Sequence, residues 1–136
     1  KPAHFIAKGA VVHNSCLTDG CIIRGTVEHS VIFNSVIVEK GAVVRDSVIM
    51  PGVIIKENAY VNKAIISYDT VIGENAKIGY SAIGNSPYIN TKICSDNITV
   101  IGEGLVIKKD AVIPCNSMVE FRTDINEKDN VVEMKK

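Results

Sequence analysis

Val27-Glu28-His29-Ser30-Val31-Ile32, Val44-Arg45-Asp46-Ser47-Val48-Ile49 and Val61-Asn62-Lys63-Ala64-Ile65-Ile66 are three versions of one six-residue phrase. Val12-His13-Asn14-Ser15-Cys16-Leu17 precedes them and Ile78-Gly79-Tyr80-Ser81-Ala82-Ile83 follows, at offsets of 15, 17, 17 and 17. Self-similarity at so short a fixed period is the signature of a solenoid, in which each repeat buries its apolar face only by stacking on the next.

A finer period lies inside the first. Val27, Ile32, Val38, Val44, Ile49, Ile55, Val61, Ile66, Ile72 and Ile78 are aliphatic and five or six apart. Four residues after each of the first nine comes a small or β-branched residue, from Val31 and Val36 to Ile65, Thr70 and Ala76. This hexapeptide rhythm predicts an all-β parallel β-helix with three short strands per coil, both members of each pair pointing into a narrow core. Gly41, Gly52, Asn58 and Asn75 are expected to share one corner position, where a positive φ is cheap for Gly and tolerable for Asn. A helical reading fails, because the aliphatics follow neither a 3.6 nor a 3.5 period and pairs such as Val43-Val44 and Ile54-Ile55 are β-branched.

From Val12 to Val119 the period predicts about six coils, or a prism about 30 Å long at the ~4.8 Å strand spacing. Residues 1–119 are therefore expected to form the β-helix domain, and 120–136, where charge dominates, a cap or tail. The rhythm breaks after Ile83. Gly84 to about Asn97 holds only Ile89 and Ile93 as aliphatics, which reads as a coil with one extruded or irregular side.

Composition narrows the function classes. Fifteen basic residues balance fifteen acidic ones, so the chain lacks the basic surface that sequence-independent binding to nucleic acid or anionic lipid requires. Only 5% of the residues are aromatic and Trp is absent, so Val, Ile and Ala must fill the core. No apolar run approaches the ~20 residues of a membrane span. Lys1-Pro2-Ala3-His4 carries neither an initiator Met nor a secretory pattern, which reads as a piece of a longer polypeptide. Cys16, Cys21, Cys94 and Cys115 form no C-x-x-C pair, which favours reduced thiols in a cytoplasmic protein.

Pro2-Ala3-His4-Phe5, the run Asn14-Ser15-Cys16-Leu17-Thr18-Asp19-Gly20-Cys21-Ile22-Ile23-Arg24-Gly25-Thr26-Val27-Glu28-His29-Ser30-Val31 and Asp46-Ser47-Val48-Ile49-Met50-Pro51-Gly52 resemble the carboxyl-terminal β-helix of bacterial glucose-1-phosphate adenylyltransferases. The resemblance runs from residue 2 to about 119 and implies a left-handed β-helix, against the usual right-handed crossover. It also implies a parent enzyme that makes ADP-glucose and diphosphate from ATP and glucose 1-phosphate in glycogen biosynthesis, under allosteric regulation. That family's chemistry, with its Mg2+ and its Gly-rich nucleotide loop, resides in an amino-terminal domain whose loop is absent from this sequence. Gly102-Glu103-Gly104 lies inside a hexapeptide and reads as a coil corner. The mixed charge of Asn126-Glu127-Lys128-Asp129-Asn130 and the irregular stretch around Pro87 look more like the regulatory-type partner subunit of Gram-positive bacteria; a catalytic subunit stays open as well.

The resemblance implies as partners the chain's own amino-terminal catalytic domain, further copies in a homo-oligomer or a catalytic partner subunit, and a phosphorylated small-molecule effector. Phe5 and Ile6 would abut the catalytic domain, and the stretch around Pro87 and Tyr88 would shape a contact. Arg24, Arg45, Lys108, Lys109 and Arg122 are the candidate contacts for an anionic effector, since guanidinium and ammonium groups suit phosphates; ordinary surface charge is the competing reading. No catalytic, cofactor or metal residues are assigned. A hexapeptide acyltransferase using His13 or His29 as a base is the alternative function, and a purely structural β-helix the third. His13 and His29 are expected at different corner positions, and His4 has no spacing that would complete a zinc site. Cys16 is expected in the small inward slot held by Val31 and Val48 in later coils.

Overall fold

The computed structural model describes residues 3–80, 86, 88–91, 94–120 and 131–134. Every regular element among them is a short strand. The first coil is β1 (Phe5–Ile6), β2 (Val11–His13) and β3 (Cys16–Leu17), followed by β4 (Ile22–Ile23), β5 (Thr26–Glu28), β6 (Val31–Ile32), β7 (Ile37–Val38), β8 (Val43–Arg45) and β9 (Val48–Ile49). Then come β10 (Ile54–Ile55), β11 (Tyr60–Asn62), β12 (Ala64–Ile66), β13 (Val71–Ile72), β14 (Lys77–Tyr80), β15 (Thr99–Ile101), β16 (Leu105–Ile107), β17 (Val112–Pro114), β18 (Met118–Val119) and β19 (Val132–Met134).

Each strand from β1 to β15 lies parallel to the strand three places later, with Phe5 beside Ile22, Val12 beside Val27 and Leu17 beside Ile32. The chain therefore winds into a parallel β-solenoid of about six turns with three flat sides, which we number by β1, β2 and β3. Ile32, Val44, Ile55, Val61 and Ile72 are wholly buried in one continuous core, as the aliphatic period predicts. Each such side chain contributes roughly 1.5–3 kcal/mol on burial, so the aliphatic file down the axis dominates the stability.

The partner rule needs correction. Val36, Ala42, Val53, Ala59, Thr70 and Ala76 are buried as expected, but Val31 and Val48 are only half-buried and Ile65 is exposed. The inward partner always lies two residues before the next aliphatic, because strand side chains alternate between faces. On the five-residue side that position is Ser30, Ser47 and Ala64, all buried. Cys16 accordingly faces outward, exposed, beside Val31 on the third side and is not a core residue.

The corners also sort differently. Gly41, Asn58 and Asn75, at φ of 79°, 61° and 60°, share the corner from first to second side, whereas Gly52 belongs with Ser35 and Asp69 at the corner from third to first. Gly104, at φ 65°, donates its N–H to Tyr68 O across that same corner, so the Gly-x-Gly is a turn of the coil.

Between β14 and β15 the sequence is far longer than one corner needs. Ile78 to Ile101 spans the corner that Val61 to Ile66 makes in five steps, so the irregular stretch is an excursion added to a complete coil. It returns over the far end of the third side: Ile89 bridges Ser117 antiparallel, Met118 N–H donates to Tyr88 O at 2.8 Å, and Tyr88 is buried. Pro87 lies outside the described residues. On the first side β19 runs antiparallel to β16 and covers its edge. In the first coil Ile6, Val12 and Leu17, equivalents of the buried Ile23, Val27 and Ile32, are partly exposed among the described residues, and Phe5 is 56% exposed. Among the described residues no helix is long and apolar enough to cross a membrane.

Candidate functional site

The 15-residue offset has a definite place. Ile6 to Val12 and Val38 to Val44 turn the corner from first to second side in six steps, but Ile23 to Val27 turns it in four. Two residues are missing between Arg24 and Gly25 relative to the coils on either side. A Cβ on Gly25 would run into the carbonyl oxygens of Glu39 and Ala42, so only glycine allows so short a turn to sit against the third coil. The result is a cleft of about 440 Å³ lined by Lys8 and Gly9 of the first coil, Arg24, Gly25 and Thr26 of the second, and Lys40 and Gly41 of the third.

Three cations face this cleft. Arg24 Nη1 donates to Glu39 Oε1 at 2.8 Å and keeps its other N–H groups, while Lys8 and Lys40 have no ion-pair partner among the described residues. The notch is therefore a local positive site on a chain of zero net charge. Chemically it can bind and orient an anion. The Thr26 residue lines it and the Glu39 carboxylate is held by Arg24 at its edge, and among the described residues no group of three or more His, Cys, Asp or Glu could hold a metal ion.

The structure does not unite the sequence-derived effector contacts. Arg24 lines the notch. Arg45 lies around another corner, where its Nε donates to Glu28 Oε1 at 3.1 Å; that hydrogen bond and the carboxylate charge raise its pKa above the ordinary arginine value. Lys108 and Lys109 follow β16 on the same prism edge as Arg24 but four strand spacings away, about 19 Å, and Lys108 Nζ is 3.9 Å from Glu133. Arg122 lies outside the described residues. Lys8 and Lys40 were missed by sequence reasoning; the short offset was their signal, because it marks where a corner is absent.

The histidines meet despite their different positions. His13, on β2, and His29, at a corner with φ 48°, stack with ring centroids 5.8 Å apart. Asn14 Nδ2 donates to His29 Nε2 at 3.3 Å, and His29 Nδ1 lies 3.7 Å from Asp46. His4 is exposed. A second cleft, of about 420 Å³, lies on the second side between Tyr60, Asn62, Lys77, Gly79 and Tyr80, with Lys77 Nζ 4.9 Å from the Tyr80 ring centre.

A model of the GlmU-like, C-terminal hexapeptide family matches residues 1–101. A glucose-1-phosphate adenylyltransferase of Clostridium perfringens (strain SM101 / Type A) is 50% identical over 46 residues, covering 34% of this chain and 12% of the relative. One of Bacillus thuringiensis (strain Al Hakam) is 46% identical over 46 residues with the same coverage. The matched stretch is thus about an eighth of the relatives' length.

Proposed function

Because the chain belongs to the GlmU-like, C-terminal hexapeptide family, we propose that it is the assembly and regulatory domain of a cytoplasmic glucose-1-phosphate adenylyltransferase of glycogen biosynthesis. The observation that carries this reading is the 50% identity over 46 residues to an enzyme of that name. In the whole protein a separate amino-terminal domain, with its Mg2+, would form ADP-glucose. This chain would place that domain, join subunits and carry the effector response.

Two features of the fold support the division of labour. The first coil offers three strand edges, unpaired on one side among the described residues, and a partly exposed ring of Ile6, Val12 and Leu17, a surface suited to packing against a neighbouring domain. Along the first side, Ile22, Ile37, Ile54, Val71 and Val106 point outward in one apolar row, a surface suited to a second subunit.

The test is an assay for ADP-glucose from ATP and glucose 1-phosphate. The chain alone is expected to make none, while the whole gene product either makes it or raises the rate of a catalytic partner subunit. A whole gene product that does neither would overturn the reading. Acetyl transfer by the chain alone, abolished by His13→Ala or His29→Ala, would put the acyltransferase in its place.

A further inference from the structure

The missing corner leaves more than empty space. In the fourth, fifth and sixth coils, the left-handed residue at the corner from first to second side donates its N–H to the coil before: Asn58 to Lys40 O at 3.2 Å, Asn75 to Glu57 O at 3.1 Å, Asp110 to Glu74 O at 2.9 Å. Gly41 is the counterpart in the third coil, and its acceptor would be one of the two residues that the second coil lacks. Its N–H has no hydrogen bond among the described residues. The residue closing each full corner also donates back to the one that opens it, as Ala42 does to Glu39 O at 3.1 Å and Ala59 to Lys56 O at 3.2 Å. Gly25 closes the short corner directly after Arg24, too near to make that bond, and its N–H likewise has no partner among the described residues although the residue is buried. A buried N–H without a partner is rare, and the one on Gly25 calls for an acceptor from elsewhere; Gly41 is exposed and adds a second free donor at the surface.

Gly25 and Gly41 both line the cleft that Lys8, Arg24, Lys40 and Thr26 also line. We propose that this notch is a binding site for a phosphate group, free or carried on a small molecule, held by the Gly25 and Gly41 N–H groups and the Lys8, Arg24 and Lys40 side chains. A phosphate presents several strong acceptor oxygens and up to two negative charges, matching a set composed of donors and cations. The cleft volume exceeds what the bare ion fills, leaving room for an organic carrier. The inference deepens the effector part of the reading above and rests on it only for what the carrier would be; binding is a property of this chain alone.

Calorimetric titration of the chain at low salt, with inorganic phosphate in one arm and glycerol 3-phosphate in the other, tests it. Saturable binding in either arm is expected, weakened about tenfold or more by Arg24→Ala or Lys40→Ala and unchanged by Lys77→Ala, which removes a cation from the other cleft. Insertion of Lys-Asn between Arg24 and Gly25 restores a six-step corner and is expected to abolish binding while leaving the circular dichroism spectrum unchanged. No saturable heat up to roughly 10 mM in either arm, or equal loss with Lys77→Ala, would overturn the proposal. These outcomes do not depend on whether the parent forms ADP-glucose, so the two readings fail separately.

Discussion

Ser47 N–H donates to the hydroxyl oxygen of Ser30, one coil earlier, at 3.1 Å. The same bond recurs from Ser30 N–H to Ser15 Oγ and from Ala64 N–H to Ser47 Oγ, each at 3.1 Å. Each hydroxyl in turn donates to the carbonyl two residues before it, Ser30 to Glu28 O at 2.8 Å and Ser47 to Arg45 O at 2.6 Å. The serines thus carry the interstrand ladder around the tight corner, where the left-handed His29 and Asp46 swing the backbone out of line. Replacing Ser47 by Ala deprives Ala64 N–H of its acceptor, while Arg45 C=O keeps the Lys63 N–H at 3.1 Å, and a loss of about 1–3 kcal/mol is expected in urea melts. An unchanged midpoint would mean that the corner satisfies itself with water.

Ile54 and Ile55 are neighbours on one strand with opposite fates. Ile55 is wholly buried in the prism, whereas Ile54 lies on the outward row between Ile37 and Val71. Ile55→Ala is expected to cost about 2–5 kcal/mol and Ile54→Ala under about 1 kcal/mol in the isolated chain. Equal losses would contradict the inward–outward assignment.

The outward row also bears on assembly. Ile37→Lys with Val71→Lys places two cations in the middle of the first side without touching the core. Light scattering across a concentration series is expected to show self-association in the parent sequence and a monomer mass in the double variant. A monomer in both would confine this side to a spacer's role.

The fold was legible because its period is written directly in apolar residues. Val44, Ile55 and Val61 could be placed in the core from spacing alone, since a solenoid repeats one local environment and needs few distant contacts to be guessed. Counting partners forward from each aliphatic misplaced Cys16, Val31 and Ile65, because alternation on the short side is set by the strand that follows the corner. The notch was not legible as a site. Lys8 and Lys40 are far apart in sequence and meet only because the coil between them is two residues short, and Lys108 and Lys109 share their edge without sharing their level. His13 and His29 likewise touch diagonally, between strand and corner, where equivalent positions gave no reason to pair them.

Parallel stacking fixes how the molecule bears load. The ladder bonds run along the prism axis, so a pull on the two ends opens them one rung after another instead of shearing a whole sheet at once. A regular coil of 17 residues, once freed, would lengthen the tether by about 58 Å at ~3.4 Å per residue. Extension would proceed as a train of small, nearly equal steps. The coil through Ile78 and Ile101, with its long excursion, would stand out as a step of about twice that size.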